Sequence, residues 1–142
     1  MAVAETRTAK RIQRKRERGW RLPEGAVCVD RSTRWGNPVR ITPERSQRDG
    51  RRMYRVHGSP MDISGGPAYN DMETARYFAA KFFEWDLLNC RYGDAYPSLE
   101  EIRRELVGKD LACWCPVVDA HGRPAPCHAN VLLEIADGAY VA

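Results

Sequence analysis

Alternating hydrophobic and polar positions predict strands through the first half of the chain. Residues 25–30 form a short run of small and β-branched side chains, which is typical of a buried strand. Between Val39 and Val56, alternating apolar positions flank a polar tip that contains Asp49 and Gly50, a common turn pair. This pattern predicts a β-hairpin. The segment DLACWC, residues 110–115, predicts another strand near the carboxyl end.

Apolar positions at three- and four-residue spacing predict about three helices. Asn70 with Glu73, and Ser98 with Glu101, are capping pairs that predict the starts of the first two helices, and Gly108 is suited to end the second in a left-handed conformation. A third helix is predicted to begin near residue 127. We expect the first helix to bury a stripe formed by Ala75, Phe78, Ala79, Phe82 and Trp85.

The order of these elements predicts an α/β fold, with α+β as the alternative. A chain of 142 residues is in the usual range for one compact domain. We expect a small sheet with a β-hairpin and about three helices. Residues 1–21 are assigned to a basic N-terminal arm and residues 22–142 to the single domain.

Composition and charge narrow the classes of function. The chain is 43% hydrophobic and 30% charged, and no apolar run approaches the length of a membrane span. Its start lacks the apolar segment of a secretory signal, so we expect a cytoplasmic protein without a membrane partner. Eight Lys or Arg against two Glu make residues 1–21 strongly basic. This arm favours contact with phosphate groups of nucleic acid, although a solvated, self-repelling tail is the alternative.

Cysteine is concentrated in the segment CWCPVVDAHGRPAPCH, residues 113–128. In a reducing compartment, cysteines seldom form disulfides and are instead buried in the core, bind a metal or take part in catalysis. We expect the isolated Cys28 and Cys90 to be buried. Zinc is one alternative for the segment. Side chains two apart in a strand are about 6.6 Å apart, whereas sulfurs that share a zinc ion are about 3.8 Å apart. That spacing weighs against the candidate zinc ligands, which are Cys113, Cys115, Cys127 and His128.

A reactive thiol is the second alternative for this segment. Cys127 would lie at a helix N-terminus, where the helix dipole stabilises a thiolate, and His128 beside it could carry a proton. The candidate catalytic residues are Cys127, His128 and Asn130, at the start of this helix. In the third alternative, the cysteines only pack in the interior and have no chemical role. In the strand predicted at residues 110–115, Trp114 faces away from Cys113 and Cys115.

A polar loop follows the first predicted strand directly. It combines guanidinium, hydroxyl, indole and amide groups, a mixture that suits a nucleotide or another planar anionic ligand. A turn anchored by tryptophan is the alternative interpretation. The candidate ligand-binding residues of this loop are Arg31, Ser32, Arg34, Trp35 and Asn37.

The blocks RxxRWGNP, residues 31–38, and CWCP with CH, residues 113–116 and 127–128, resemble those of a family of short actinobacterial and phage proteins called domain of unknown function 4326. The resemblance covers nearly the whole chain and implies no established reaction. In that family a shorter link joins CWCP to CH, so His121 belongs to an expanded loop here. Aspartate is common there at the position of Asn130.

We therefore expect the two blocks to meet in one cleft that binds a nucleotide-like or nucleic-acid-derived ligand. Trp35 and Trp114 would stack or form walls, Arg31 and Arg34 would bind phosphate, and Asn37 would contact a base or sugar edge. Any reaction there would be hydrolysis or transfer at a glycosidic or phosphoester bond. The alternative is a non-enzymatic nucleic-acid-binding accessory protein with a structural zinc knot.

Overall fold

The structure, a computed structural model, describes residues 9–62 and 65–138. Three helices are α1 (Met72–Leu88), α2 (Leu99–Leu106) and α3 (His128–Ala136), and a short 3-10 turn spans Gly93–Ala95. The strands are β1 (Arg11–Gln13), β2 (Val27–Cys28), β3 (Arg40–Arg45), β4 (Arg52–His57), β5 (Ala68–Tyr69) and β6 (Leu111–Cys113). The predicted α/β class, with a β-hairpin and three helices, is confirmed.

A parallel sheet with the order β1-β6-β2 holds the cysteine segment. Leu111 pairs with Arg11 on one side and with Val27 on the other. All three residues of β6 are buried, as expected for the central strand of a parallel sheet. Because the strands are parallel, their carboxyl ends meet at one edge, and the polar residues that follow them come together there.

Part of the predicted basic arm belongs to this sheet. Arg11 is buried, and the Arg14 amide donates to the carbonyl of Cys113 at 2.8 Å. Pairing with β1 covers an edge of β6 that would otherwise present unpaired backbone groups. Residues 1–8 of the arm lie outside the described residues. Lys15 to Arg18 continue from the end of β1 as an exposed basic segment.

The hairpin forms a second, antiparallel sheet with the order β3-β4-β5. Ile41 pairs with Val56, and residues 46–51 form the polar tip, which confirms the predicted hairpin. Gly66, next to β5, approaches this sheet closely: a Cβ there would lie 2.1 Å from the carbonyl oxygen of Val56. Only glycine fits so near the backbone of β4.

Helix α1 differs from its prediction in both its cap and its buried face. Asp71, rather than Asn70, is the N-cap and accepts from the Thr74 amide at 2.7 Å. Phe83 is fully buried, whereas Trp85 is 46% exposed. The buried face is therefore rotated toward Phe83, because α1 packs against both α3 and the hairpin sheet. For α2 the predicted cap is confirmed, since Ser98 accepts from the Glu101 amide at 3.1 Å.

One hydrophobic core joins the two sheets and the helices. It extends from Val56 of the hairpin sheet through Phe83 of α1 to Leu111 of the parallel sheet and Ile135 of α3. None of the helices in the described part of the chain is both long and apolar enough to cross a membrane.

Candidate ligand cavity and thiol cluster

Residues of both motif blocks line one cavity of about 450 Å³. The parallel sheet explains this meeting, because β2 leads into the first block and β6 into the second at the same edge. Helix α1 provides a further wall, which includes Arg76. From the sequence-predicted residues, the cavity lining includes Arg31, Ser32, Asn37, Cys113, Trp114, Cys115, Cys127 and His128.

Asp30, which the sequence analysis did not single out, organises the first wall. Its carboxylate accepts from the amide and hydroxyl of Ser32, and from Arg14 at 2.5 Å. Burial by itself would raise the pKa of Asp30, but these hydrogen bonds outweigh it and lower the pKa. The carboxylate is therefore ionised, and the Ser32 hydroxyl is committed to it.

Asn37 and Arg31 join the first block to its neighbours. The Asn37 side-chain oxygen accepts from the Val39 amide at 2.9 Å, and its amide nitrogen donates to the Ala79 carbonyl at 3.3 Å. Arg31 donates to the Val39 carbonyl at 3.3 Å. Burial, followed by the charge of Arg40, lowers the pKa of Arg31. Arg31 thus keeps donors that face the cavity, while the amide of Asn37 is used within the fold.

Arg34 and Trp35 lie away from the cavity. Trp35 is 6% exposed, and its carbonyl accepts from the Tyr96 hydroxyl at 2.7 Å. The guanidinium of Arg34 lies 4.5 Å from the centre of the Trp35 ring and is paired with Glu101 and Glu105 of α2. These contacts assign both residues to attaching α2 to the core, which corresponds to the tryptophan-anchored turn among the sequence-based alternatives.

Trp114 has the opposite environment. It is 39% exposed and stands on the cavity wall, just after the end of β6. The guanidinium carbons of Arg14 and Arg16 lie 4.4 and 4.9 Å from the centre of its ring. The indole therefore holds the start of the basic segment beside the cavity through cation–π contacts.

The sulfurs of Cys113, Cys115 and Cys127 form a cluster within 4.8 Å of one another. Those of Cys113 and Cys115 are 3.8 Å apart, not the 6.6 Å expected for a continuous strand. The reason is that β6 ends at Cys113 and the chain bends at the next two residues. This thiol cluster can hold a metal ion.

His128 does not belong to the thiol cluster, contrary to its place in the predicted ligand set. Its Nε2 lies 2.6 Å from the Val29 carbonyl oxygen, and its Nδ1 lies 3.7 Å from the Cys127 sulfur. The ring is buried edge-on against Phe83. Burial lowers the pKa of His128 and favours the neutral ring.

Within the thiol cluster, the pKa is lowered at Cys115 and raised at Cys127. Hydrogen bonds from Cys113 and Cys127, together with the charges of Arg11 and Arg76, lower the pKa of Cys115 to about 3. The hydrogen bonds that Cys127 forms with Cys113 and Cys115, together with burial, raise the pKa of Cys127. The position of Cys127 at a helix N-terminus therefore does not make it the most acidic thiol.

The other predicted catalytic and buried residues differ in their environments. Asn130 donates to the Ala125 carbonyl at 3.1 Å and lies outside the cavity lining. Cys28 is half-buried. Cys90, expected to be buried, is exposed with a φ of 55°, because it follows the C-cap of α1.

Arg11 is a second residue that the sequence analysis missed. From β1 it donates to the carbonyls of Cys115, Pro116 and Ala125 at 2.9–3.2 Å. It thereby ties together both ends of the loop that separates Cys115 from Cys127. Its position among many basic residues concealed this role, because nothing in the local pattern separates a buried arginine from exposed ones.

The family model for a domain of unknown function, DUF4326, matches residues 12–138. The chain belongs to the DUF4326 family. Both motif blocks that line the cavity fall within the DUF4326 match, as do all three cysteines of the thiol cluster. Comparison with curated proteins and with solved structures found no significant match.

Proposed function

We propose that this DUF4326 protein binds a nucleotide-like or nucleic-acid-derived ligand in the cavity between its two motif blocks. The observation that carries the proposal is that both blocks, distant in sequence, line the same cavity. Its volume of about 450 Å³ is in the range of small-molecule sites. Chemically distinct groups face it from different walls: guanidinium groups, an exposed indole and thiols.

Arg31 and Arg76 are suited to bind the phosphate. Both line the cavity, one from the first block and one from α1. Arg31 donates to the Val39 carbonyl at 3.3 Å, and the positive charge of Arg76 acts on the Cys115 sulfur. A guanidinium group binds phosphate with paired, charge-assisted hydrogen bonds.

Trp114 is suited to contact the base. Its ring is partly exposed at the cavity, and Arg16 lies over it from the exposed basic segment. An exposed cation–π contact contributes only about 0.5–1 kcal/mol, whereas stacking of a base on an aromatic ring contributes about 1–3 kcal/mol. A base can therefore replace Arg16 on the indole, and the freed arginine can move to a phosphate.

Zinc is the metal that this proposal assigns to the thiol cluster, because thiolate ligands at tetrahedral spacing favour zinc. A zinc ion beside bound phosphate or a glycosidic carbon suits hydrolysis or transfer, the reaction class expected from the sequence. In the proposed zinc-dependent reaction, His128 and Asn130 support the loop and the helix that hold the cysteines, and they do not contact the reacting atoms.

Calorimetric titration with nucleosides and nucleoside mono- and diphosphates tests the proposal. We expect Trp114→Ala and Arg31→Gln each to weaken binding about tenfold or more, which corresponds to about 1.4 kcal/mol. Trp85→Ala and Arg48→Gln are matched controls, since both residues are exposed and outside the cavity lining. Absence of binding for every compound, or equal weakening in the controls, would refute the proposal.

A nucleic-acid-binding accessory protein is the second candidate, favoured by the exposed basic segment beside Trp114. Lys15 and Arg18 are exposed in that segment. Under this function, Lys15→Gln with Arg18→Gln weakens binding of an oligonucleotide and reduces its salt dependence, while mononucleotides do not bind. Tight mononucleotide binding that survives the double substitution would instead favour the cavity.

A further inference from the structure

We infer that the thiol cluster is a three-ligand metal site whose fourth coordination position opens into the cavity. The inference deepens the proposed function, because the same cavity is involved, but it concerns the ion and not the nucleotide. A site with four protein ligands is structural, whereas three protein ligands leave a position for water or for a donor atom of a bound molecule.

The spacing of the sulfurs fits a tetrahedral ion. Sulfurs that each bond zinc at about 2.3 Å are about 3.8 Å apart. Cys113 and Cys115 meet that spacing, and Cys127 lies within 4.8 Å of both. A contraction of less than about 1 Å, within the reach of a χ1 adjustment at Cys127, completes the triangle.

No fourth protein ligand is in place among residues 9–62 and 65–138. No further Cys, His, Asp or Glu ligand atom of those residues joins the cluster within 4.8 Å. His128 is the nearest candidate by sequence, but its Nε2 is bonded to Val29 and its ring is packed on Phe83. Cys28 is held in β2, where it pairs with Ala112.

The open position faces the cavity because all three cysteines line it. An ion bound to three sulfurs of one wall directs its fourth tetrahedral position away from that wall. Asp30 and Arg31 line the same cavity. A molecule bound there can therefore contact the ion and the first motif block at once.

The surrounding charges suit such a site. Three thiolates on a divalent cation leave one net negative charge. The positive charges of Arg11 and Arg76 act on Cys115, and that of Arg31 interacts with both Cys115 and Cys113. Arg11 also fixes the backbone on each side of the loop between Cys115 and Cys127. The cations and the fixed backbone favour a preformed anionic site over a flexible set of three thiols.

Cobalt(II) titration of the full-length chain, kept reduced with a phosphine, tests both the site and its open position. We expect one cobalt ion per chain, with the visible bands of tetrahedral thiolate coordination. Addition of azide, a small anion, should shift these bands with saturation at one azide per cobalt. Cys113→Ser and Cys127→Ser should each weaken cobalt binding about tenfold or more. Cys90→Ser is the control, because Cys90 is exposed and outside the cluster.

Protection from alkylation provides a measurement on the unmodified chain, independent of whether the variants fold. Added zinc should protect three cysteines, identified by mass spectrometry as Cys113, Cys115 and Cys127, while Cys90 remains reactive. Failure to bind cobalt or zinc would overturn the site. Tight binding with bands that azide leaves unchanged would show a closed site and overturn the open position.

The two proposals can fail separately. An azide-sensitive cobalt site in a protein that binds no nucleoside or nucleotide would leave the metal inference standing and remove the proposed ligand. Nucleotide binding that depends on Trp114 and Arg31 in a chain that binds no metal would do the reverse.

Discussion

Asp30 shows how one side chain connects separate parts of the site. It follows β2 at the sheet edge where β1 and β6 also end, so it can reach both Ser32 in its own loop and Arg14 beyond β1. Its carboxylate is 6% exposed. A buried carboxylate with these donors is stabilised as the anion, and the donors are in turn oriented around it.

Asp30→Asn should reduce the free energy of unfolding by about 1–3 kcal/mol at neutral pH, because the charge-assisted hydrogen bonds are lost. The pKa of Asp30 is lower in the folded state than the unfolded value of about 3.9. Its contribution is therefore complete above the unfolded pKa and is lost as pH falls through the folded one. Urea unfolding measures this effect: the difference in free energy of unfolding between wild type and Asp30→Asn should be smaller at about pH 3.5 than at about pH 7.

The control for this prediction is Asp49→Asn at the exposed hairpin tip. Asp49 accepts from the Arg51 amide at 3.1 Å, and asparagine can accept the same hydrogen bond. We expect a change of less than about 0.5 kcal/mol. An equal cost of Asp30→Asn at both pH values would contradict the role assigned to its charge.

Two tryptophans for which the same role was predicted show that residue type alone does not distinguish a core residue from a ligand-binding one. Trp35 is buried beneath Arg34, whereas Trp114 is partly exposed at the cavity. Both stand next to arginine or cysteine in polar, turn-rich segments, so neither local sequence separates a core anchor from a ligand wall. The difference arises from long-range contacts, because Arg34 lies over the Trp35 ring and is held there by Glu101 and Glu105 of α2.

At the scale of elements, β1 is more than an edge strand. Arg11, its first residue, points its guanidinium to three carbonyls of the loop that carries the cysteines. The strand therefore fixes the distance between the end of β6 and the start of α3. This explains why the thiol cluster forms although a loop separates two of its members from the third.

Arg11→Lys should loosen this loop, because an ammonium group cannot reproduce the planar fork that reaches three carbonyls. We expect a loss of about 1–3 kcal/mol in the free energy of unfolding. Reaction of the cysteines with a chromogenic disulfide reagent should also become faster, measured by stopped-flow absorbance. Arg18→Lys, on the exposed basic segment, should change neither quantity. Unchanged thiol reactivity in Arg11→Lys would contradict the clamp.

At the scale of the whole molecule, Phe83 links the parts of the core. Its ring is fully buried and contacts the rings of Tyr92, Tyr96 and His128. Through His128 it supports the start of α3, and through α1 it reaches the hairpin sheet. A core with this connectivity predicts that both sheets unfold together.

Phe83→Ala should reduce the free energy of unfolding by about 3–5 kcal/mol, because it removes a large buried ring and leaves a cavity. Tryptophan fluorescence and far-ultraviolet circular dichroism should follow one coincident transition in urea. Tyr77→Ala is the control, since Tyr77 is on the exposed side of α1, and it should cost less than about 1 kcal/mol. Separate transitions would show that the two sheets are independent.

The sequence by itself determined the hairpin, the helices and the strands next to the motif blocks, because these depend on local physics, whereas it did not reveal β1. Alternation placed the hairpin, the Ser98 cap placed the start of α2, and the apolar spacing placed α3 directly after Cys127. These elements require only backbone preferences and hydrophobic periodicity, which neighbouring residues carry. The pairing of the two motif blocks came instead from the resemblance to the family.

Only the tertiary structure decided which polar groups line the cavity. The parallel pairing of β1, β6 and β2 brought Arg14, Asp30 and Trp114 together, and the end of β6 at Cys113 allowed two sulfurs to approach within 3.8 Å. Packing against Phe83 and Val29 removed His128 from the ligand set. Burial and long-range contact set these roles, and neither is encoded in the spacing of residues along the chain.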